Sequence, residues 1–227
     1  MTEHAFTAEE RRAVYRVIRE RRDMRRFRPG AAIPEETLTR LLAAAHAAPS
    51  VGLMQPWRFL RITDAELRRA IHALVDEERH QTAAALGNRA EEFLALKVEG
   101  ILDCAELLVV ALGDGRDGHV FGRRTMPNMD LASVSCAIQN LWLAARAEGY
   151  GMGWVSIFDP ARLGELLGMP PGAEPVAVLC LGPVPDFPNR PALEIDEWTF
   201  GRPLADFVSE NGWGQPDSPH PTEPQPT

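Results

Sequence analysis

Three short segments contain residue types that could bind and transform a small anionic molecule. The first is Arg21-Arg22-Asp23-Met24-Arg25, at the expected end of a helix, where the arginines stand one, three and four positions apart. Guanidinium groups at this spacing can converge on one phosphate. Asp23 either neutralises these arginines or, if it points into a pocket, acts as an acid or base. A solvated basic helix face explains the arginines equally well.

The second segment joins a predicted helix to a predicted strand and reads Ala48-Pro49-Ser50-Val51-Gly52-Leu53-Met54-Gln55-Pro56-Trp57. Its prolines, glycine and serine favour a fixed, extended loop. Such a loop presents backbone N–H groups, the Ser50 hydroxyl and the Gln55 amide to a planar polar ligand. A rigid structural connection without a ligand has the same composition, so both interpretations stay open.

The third segment, Gly149-Tyr150-Gly151-Met152-Gly153-Trp154-Val155-Ser156, alternates glycines with larger residues before a predicted strand. Missing Cβ atoms let a backbone approach a ligand closely, and a helix stop followed by a turn is the alternative. The spacing is not a dinucleotide fingerprint, because no strand ends before it and no helix begins within it. Ser156 has no neighbouring histidine in the sequence, so we do not predict it as a nucleophile.

Charge and composition limit the partners. A net charge of −8 argues against nucleic acid, although nine arginines between Arg11 and Arg28 indicate one local anionic ligand. No apolar run reaches the roughly 18 residues that a membrane span needs, so no membrane partner is predicted. The six histidines include no pair at metal-ligand spacing, and no metal is predicted.

The cysteines indicate the compartment. Cys104, Cys136 and Cys180 are an odd number, widely spaced, and each lies in an apolar stretch. This pattern predicts buried free thiols in a reducing compartment. The first ten residues are polar and acidic and lack the order of a secretion signal. We therefore expect a cytoplasmic protein.

Hydrophobic periodicity and capping residues predict a mixture of helices and short strands. A capping box at Thr7 begins the first helix, which ends near Arg22, and the helix over 130–148 is expected to be the longest. Further helices are predicted over 34–48, 64–78, 91–102 and 160–168, and strands over 57–62, 107–112, 154–157 and 175–182. More helix than strand predicts an α+β or α/β layered domain with four or five strands.

The chain is predicted to contain one domain over residues 1–213. The remaining segment, 214–227, has five prolines and no aliphatic or aromatic side chain, so a disordered tail is expected. The 130–148 helix has an apolar stripe wider than one neighbouring sheet would cover, and an aromatic-rich arm covers 192–213. Both features favour a homodimer, although an arm folded over its own domain is nearly as good an interpretation.

Taken together, the three segments resemble the flavin-binding nitroreductase superfamily. The resemblance is greatest to one branch, the 5,6-dimethylbenzimidazole synthases (BluB), and extends over roughly 10–213. The motifs that carry it are the two segments 21–25 and 48–57 and the runs Met129-Asp130-Leu131, Gln139-Asn140-Leu141-Trp142-Leu143-Ala144-Ala145-Arg146 and Gly153-Trp154-Val155-Ser156-Ile157. Aspartate at position 23, where ordinary nitroreductases usually carry serine, marks the branch. The segment Arg123–Asn128 matches the family only loosely.

The resemblance implies an α+β fold with a central mixed or antiparallel sheet, a dimer with an extended C-terminal arm, and an enzyme that consumes FMN. Reduced FMN, supplied by a separate flavin reductase, would react with dioxygen. The products would be 5,6-dimethylbenzimidazole, the lower ligand of cobalamin, and erythrose 4-phosphate. The small-molecule substrate is thus the flavin itself.

The resemblance also assigns roles to residues. Arg21, Arg22 and Arg25 would hold the phosphate, and Asp23 would face the flavin as the acid or base. The other expected flavin-contact residues are Met24, Ser50, Gly52 and Gln55, with Ser156 at the reacting face and Leu96 and Lys97 after a segment, 76–93, that closes over the site.

Two other functions are compatible with these residues. The first is an NAD(P)H-dependent FMN oxidoreductase of the nitroreductase type, which would keep its flavin and oxidise nicotinamide. The second is a non-catalytic flavin-binding protein, in which Asp23 and Ser156 would be replaceable without chemical consequence.

Overall fold

The computed structural model describes residues 4–213, and the chain divides into two compact units, Met1–Asn189 and Arg190–Thr227. This division falls inside the span 1–213, whose assignment to one domain stays a prediction. The predicted tail, 214–227, lies outside the described residues. Among the described residues, no helix is both long enough and apolar enough to span a bilayer.

Helices contribute more residues to the first unit than strands do. In α1 (Ala8–Glu20), the Thr7 hydroxyl accepts a hydrogen bond from the Glu10 N–H at 3.3 Å, and the Glu10 carboxylate accepts one from the Thr7 N–H at 2.8 Å. The predicted capping box is therefore confirmed. The helices that follow are α2 (Glu35–His46), α3 (Ala65–Ala85), α4 (Ala90–Ala95), α5 (Met129–Ala147) and α6 (Pro160–Leu166).

The strands of the described chain form one antiparallel sheet in the order β1-β2-β4-β3. Their bounds are Trp57–Arg61 for β1, Glu106–Leu112 for β2, Gly151–Val155 for β3 and Glu174–Gly182 for β4. All seven residues of β2 are buried, because this strand has neighbours on both sides and helices on both faces. The predicted α+β fold with four or five strands is confirmed.

The sheet separates two apolar layers. Alternate residues of β2, such as Leu108 and Val110, pack in the layer that contains α2 and α5, whereas Leu107 and Val109 pack in the layer that contains α3 and α6. This alternation follows from the two-residue period of a strand. Part of the candidate site, residues 23–25, lies along β3 at one edge of this sheet.

Two helix lengths differ from the prediction. The longest helix is α3, with 21 residues against 19 in α5, because it continues beyond position 78 through residues that end in three alanines, which favour helix. The helix predicted over 91–102 ends at Ala95. Leu96 is extended, and a Cβ at Gly100 would lie 2.5 Å from the Phe27 ring, so this stretch instead packs as a tight turn.

The glycine-rich segment has a different role from the predicted one. Gly151 and Gly153 lie inside β3, which begins three residues earlier than the predicted strand 154–157. A Cβ at Gly153 would lie 2.2 Å from the backbone oxygen of Met24. A Cβ at Gly151 would lie 2.3 Å from Val184 and 2.9 Å from the Met24 side chain. The absence of Cβ atoms at these glycines thus lets Met24 and Val184 of the same chain pack closely against β3, instead of a ligand.

The apolar stripe on α5 is mostly internal. Val134, Ile138, Leu141 and Ala145 are completely buried in the first unit, and Leu131 is exposed. The stripe is therefore covered by the unit's own sheet and α2, and the argument for a dimer from its width is wrong. The homodimer itself stays a prediction.

The cysteine prediction is correct for two thiols. Cys104 and Cys180 are free and buried, whereas Cys136 is exposed, because its position on α5 faces away from the apolar layer. The expectation of three buried thiols is thus wrong at Cys136.

The second unit contains α7 (Ala192–Ile195) and a 3-10 turn over Leu204–Phe207. Inside it, the Arg202 guanidinium binds the Asp206 carboxylate at 3.0 Å and lies over the Phe207 ring. Its exposed apolar side chains include Phe200, Leu204, Phe207, Val208 and Trp213. The packing of this arm on a partner subunit stays a prediction.

We expect Gly153→Ala to lower the free energy of unfolding by about 1 to 3 kcal/mol, because the new methyl overlaps a backbone oxygen that cannot move without breaking the contact of residues 23–25 with β3. Urea denaturation measures the change. Gly164→Ala is the matched control. It lies in α6 with no atom closer than 3.9 Å to the added Cβ, so equal or higher stability is expected. Equal effects of the two variants would contradict this account.

Candidate functional site

The segment Asp23–Arg25 lies along the open edge of β3. The Met24 N–H donates to the Met152 carbonyl at 2.9 Å, and the Trp154 N–H donates to Asp23 Oδ1 at 3.0 Å. Arg25 donates to the Trp154 carbonyl at 3.0 Å and pairs with Asp23 Oδ2. The Asp23 carboxylate thus replaces the backbone acceptor that a further strand would supply to β3. Two predicted site residues, Asp23 and Arg25, also hold each other in place.

The electrostatics of Asp23 favour proton exchange. Burial raises its pKa above the ordinary value, and this effect outweighs the lowering effects of Arg25, the Trp154 N–H and Arg21. From the sequence, neighbouring arginines would lower the pKa of Asp23 and burial would raise it. In the structure the effect of burial is the larger one. A carboxyl group that holds its proton more firmly than an exposed aspartate is suited to act as a general acid and base nearer neutral pH.

Arg21 and Arg22 have different partners. The Arg21 guanidinium lies over the Trp142 ring, with 4.5 Å between its central carbon and the ring centroid. Arg22 donates to the carbonyls of Arg19 and Arg21 at 2.8 and 2.7 Å and to that of Asn189 at 2.7 Å. Its Nε is buried and, among the described residues, has no hydrogen-bond partner. The guanidinium groups of Arg21, Arg22 and Arg25, which were predicted to converge on one phosphate, therefore each contact different groups of the protein.

Left-handed backbone angles shape the Ser50–Gln55 loop. The φ angle is +51° at Gly52, +54° at Leu53 and +47° at Gln55. At the two residues with side chains this conformation costs on the order of 1 kcal/mol each. The Ser50 hydroxyl accepts a hydrogen bond from the Gln55 N–H at 3.0 Å, which closes the loop on itself. The predicted ring-lining residues are thus held in one compact turn.

A second segment, which sequence reasoning missed, packs on this loop. A Cβ at Gly52 would lie 2.6 Å from the Nε2 atom of His119 and 3.1 Å from the Phe121 ring. A Cβ at Gly122 would lie 2.4 Å from the Val51 side chain. Gly52 is therefore required both for its positive φ and for this close approach.

A buried carboxylate holds the second segment in place. Asp130 Oδ2 accepts a hydrogen bond from Arg116 at 2.6 Å and forms an ion pair with Arg123, whose nitrogen lies 3.0 Å away, and only 4% of the Asp130 side chain is exposed. Arg116 also donates to the Gly113 carbonyl at 2.7 Å. The chain between Arg116 and the start of α5 consists of turns and a short 3-10 segment, so no helical or strand period predicted this ion pair.

Leu96 and Lys97 follow the hairpin of α3 and α4. Leu96 is buried, and its carbonyl accepts a hydrogen bond from Arg79 of α3 at 3.5 Å. The Lys97 ammonium lies 3.0 Å from the Glu99 carboxylate. The two residues are fixed at the base of the hairpin, and closure of the segment 76–93 over a ligand stays a prediction.

The remaining predicted residues occupy contrasting positions. Ser156 is exposed and directly follows β3, two residues beyond the Trp154 N–H that binds Asp23. The side chain of Met24 is buried in the apolar layer, so its backbone alone is at the site. Over residues 4–213, no group of three or more His, Cys, Asp or Glu side chains is arranged to hold a metal ion.

Comparisons with known proteins identify the family. The model of the nitroreductase family matches residues 18–183. The chain is 43% identical to a 5,6-dimethylbenzimidazole synthase from Rhodospirillum rubrum, over 81% of this chain and 87% of the relative. It is 40% identical to a protein of the same name from Rhodobacter capsulatus, over 87% of this chain and 96% of the relative.

Solved structures share the fold. A BluB-like flavoprotein from Clostridium difficile superposes with a TM-score of 0.68 at 19% identity, over 86% of this chain and 97% of the other. An iodotyrosine deiodinase bound to FMN and 3-iodo-L-tyrosine also has a TM-score of 0.68, at 23% identity, over 88% of this chain and all of the other. At these identities the likeness establishes the architecture alone.

The raised pKa of Asp23 predicts a pH-dependent stability. The folded state disfavours the ionised carboxylate of Asp23. The free energy of unfolding of wild type should therefore exceed that of Asp23→Asn by the largest amount at low pH, below the carboxyl pKa of the unfolded chain. This advantage should decline as pH rises through the folded-state pKa of Asp23. Urea denaturation of both proteins over a pH series measures the difference.

Glu77 provides a control of opposite sign. Its pKa is lowered by the hydrogen bond and charge of Arg162. Wild type should therefore have a higher free energy of unfolding than Glu77→Gln at pH values above the carboxyl pKa of the unfolded chain. This difference should disappear as the pH falls. The same pH trend in both pairs would contradict the assignment for Asp23.

Proposed function

Because the chain belongs to the nitroreductase family, and its relatives at 40 to 43% identity are named 5,6-dimethylbenzimidazole synthase, we propose that it makes 5,6-dimethylbenzimidazole from reduced FMN and dioxygen. FMN is then the substrate; four of its five ribityl carbons leave with the phosphate as erythrose 4-phosphate, and the first ribityl carbon stays in the benzimidazole. The reduced flavin supplies the electrons that dioxygen accepts. The protein has to bind the flavin, orient it and move protons.

The observation that carries this proposal is the arrangement of Asp23. Its Oδ1 accepts the Trp154 N–H, its Oδ2 faces Arg25, and burial raises its pKa. Fragmentation of a flavin needs several proton transfers, and a positioned carboxyl group with a raised pKa suits that task. An electron-transfer enzyme would not require this group.

An unpartnered guanidinium nitrogen supports the fit of FMN. The Nε of Arg22 is buried and, in the described part of the chain, makes no hydrogen bond, and the guanidinium of the preceding residue, Arg21, lies over the Trp142 ring. Guanidinium N–H groups match phosphate oxygens. Arg21 and Arg22 would therefore hold the phosphate, with Arg25 completing the charge while it positions Asp23.

The other predicted residues would surround the ring. Ser50, Gly52 and Gln55 would line it from the closed loop, and Ser156, exposed after β3, would hydrogen-bond its reacting face. Leu96 and Lys97 would border it beside the α3–α4 hairpin, which would exclude water. The proposal includes a homodimer and a separate flavin reductase as the source of reduced FMN.

The test is an aerobic incubation of the protein with pre-reduced FMN, followed by chromatography for 5,6-dimethylbenzimidazole. Formation of this product with loss of flavin is the expected result. Rapid oxidation of NADH or NADPH with the flavin recovered intact would instead establish the FMN oxidoreductase. Flavin binding without either reaction would establish a binding protein.

Asp23→Asn should bind FMN and lose formation of the product by about 10² to 10⁴-fold, the range that general acid–base groups contribute. The amide retains an acceptor for the Trp154 N–H and cannot exchange a proton. The same incubation measures the rate, and flavin fluorescence measures binding. Asp186→Asn, at an exposed carboxylate, is the control and should keep wild-type activity. A near wild-type rate for Asp23→Asn would reduce Asp23 to a structural partner of Arg25.

A further inference from the structure

Trp142 of α5 contacts both arginines that are proposed to hold the phosphate. The Arg21 guanidinium lies over its indole ring, with 4.5 Å between the central guanidinium carbon and the ring centroid. Its Nε1–H donates to the Arg22 carbonyl at 3.1 Å. Trp142 is buried in the apolar layer that contains α2 and α5. One fixed side chain therefore contacts two consecutive residues just beyond the end of α1.

The N–H groups of Arg21 remain available for a ligand. Contact with the face of an aromatic ring leaves most N–H donors of a guanidinium free to bind oxygen atoms. Among residues 4–213, the Arg21 guanidinium makes no hydrogen bond or ion pair, and Arg21 is half-buried. The Trp142 ring thus holds this guanidinium in place without using the donors that an anion requires.

The next turn of α5 fixes the same end of α1. Arg146 lies four residues after Trp142 and donates to the Glu20 carbonyl at 3.3 Å and to the Glu20 carboxylate at 2.9 Å. Residues four apart lie on one face of a helix, so both side chains reach α1 from the same side. The backbone is thus tied to α5 at Glu20 and at Arg22. Between these two points, the Trp142 ring orients the side chain of Arg21.

We propose that Trp142 is a positioning residue for the phosphate site, whose ring orients the Arg21 guanidinium toward the phosphate of FMN. This rests on the proposed function, in which Arg21 and Arg22 hold that phosphate. A guanidinium held on a fixed ring loses less conformational freedom on binding than one on a mobile side chain, so it binds an anion more tightly. The effect is confined to ligands that carry the phosphate.

A purely structural Trp142 leads to a different expectation. If the indole only fills the apolar layer, its loss should weaken FMN and riboflavin by the same factor, because riboflavin is FMN without the phosphate. If the indole positions Arg21, its loss should weaken FMN alone. The ratio of the two dissociation constants therefore separates these roles, and it cancels a general loss of stability.

The experiment titrates wild type and variants with oxidised FMN and with riboflavin, and follows the quenching of flavin fluorescence. Trp142→Leu should lower the preference for FMN over riboflavin by about 3- to 30-fold, the effect of losing one cation–π contact. Trp142→Phe should recover most of the preference, because a phenyl ring keeps a face for Arg21. Trp142→Met, which fills more of the volume and also lacks a ring, provides the same measurement if Trp142→Leu does not fold.

A matched control comes from the same helix. Ile138 lies one turn before Trp142 on α5 and is completely buried in the same apolar layer. Ile138→Ala should lower the midpoint of thermal unfolding and keep the wild-type preference for FMN.

A double-mutant cycle identifies the residue through which Trp142 acts. Arg21→Ala alone should lower the preference for FMN. Trp142→Leu added to Arg21→Ala should lower it no further, because the guanidinium that the ring orients is already absent. A further loss of the same size as in the wild-type background would overturn the inference.

The other contrary outcomes are distinct. An unchanged preference for FMN in Trp142→Leu would overturn the inference and leave the proposed function standing. Losses of equal size in Trp142→Leu and Trp142→Phe would assign the effect to the hydrogen bond with the Arg22 carbonyl and overturn the role of the ring. A wild-type chain that binds FMN and riboflavin equally would overturn the phosphate site and the inference with it. A wild-type chain that binds neither flavin would overturn the proposed function as well.

Discussion

The pairing of residues 23–25 with the open edge of β3 is the constraint on which the site depends. The chain leaves α1 extended and forms a parallel bridge to Met152, so that Asp23 meets the Trp154 N–H and Arg25 meets the Trp154 carbonyl. This approach is possible because Gly153 has no Cβ. The contact also covers a strand edge, which would otherwise present unpaired N–H and carbonyl groups. One glycine therefore links the sheet, the first helix and the candidate acid–base group.

Arginine makes the contacts that hold the loops. Lys97 is the chain's single lysine, whereas Arg22, Arg25 and Arg116 each bind more than one acceptor. Arg25 joins a carboxylate to a strand carbonyl, and Arg116 joins Asp130 to the Gly113 carbonyl. An ammonium group lacks this planar fork and could not reproduce both directions. The density of arginines near the first helix thus reflects internal cross-links as well as the proposed phosphate site.

Periodic features were predictable from the sequence, and contacts between distant segments were not. The capping box at Thr7, the buried run of β2 and the α+β class follow from local pattern, because burial of one face imposes a repeat on the residues. The residues of the Ser50–Gln55 loop were identified, yet their left-handed angles were not, since Leu53 and Gln55 rarely adopt them. The approach of His119 to Gly52 joins two segments that lie far apart in the chain, and no repeat predicts it. Glycine 153 was noticed and assigned to the wrong neighbour for the same reason.

The two oxygens of Asp23 serve separable purposes. Oδ1 accepts the Trp154 N–H, a bond that a protonated carboxyl or an amide carbonyl can keep. Oδ2 faces the Arg25 guanidinium, which stabilises the ionised form, while burial stabilises the protonated one. A proton that moves on and off Oδ2 therefore alters the pairing with Arg25 and leaves the attachment to β3 in place. Because the strand contact does not depend on the charge, the group can change its protonation state without releasing the segment that positions it.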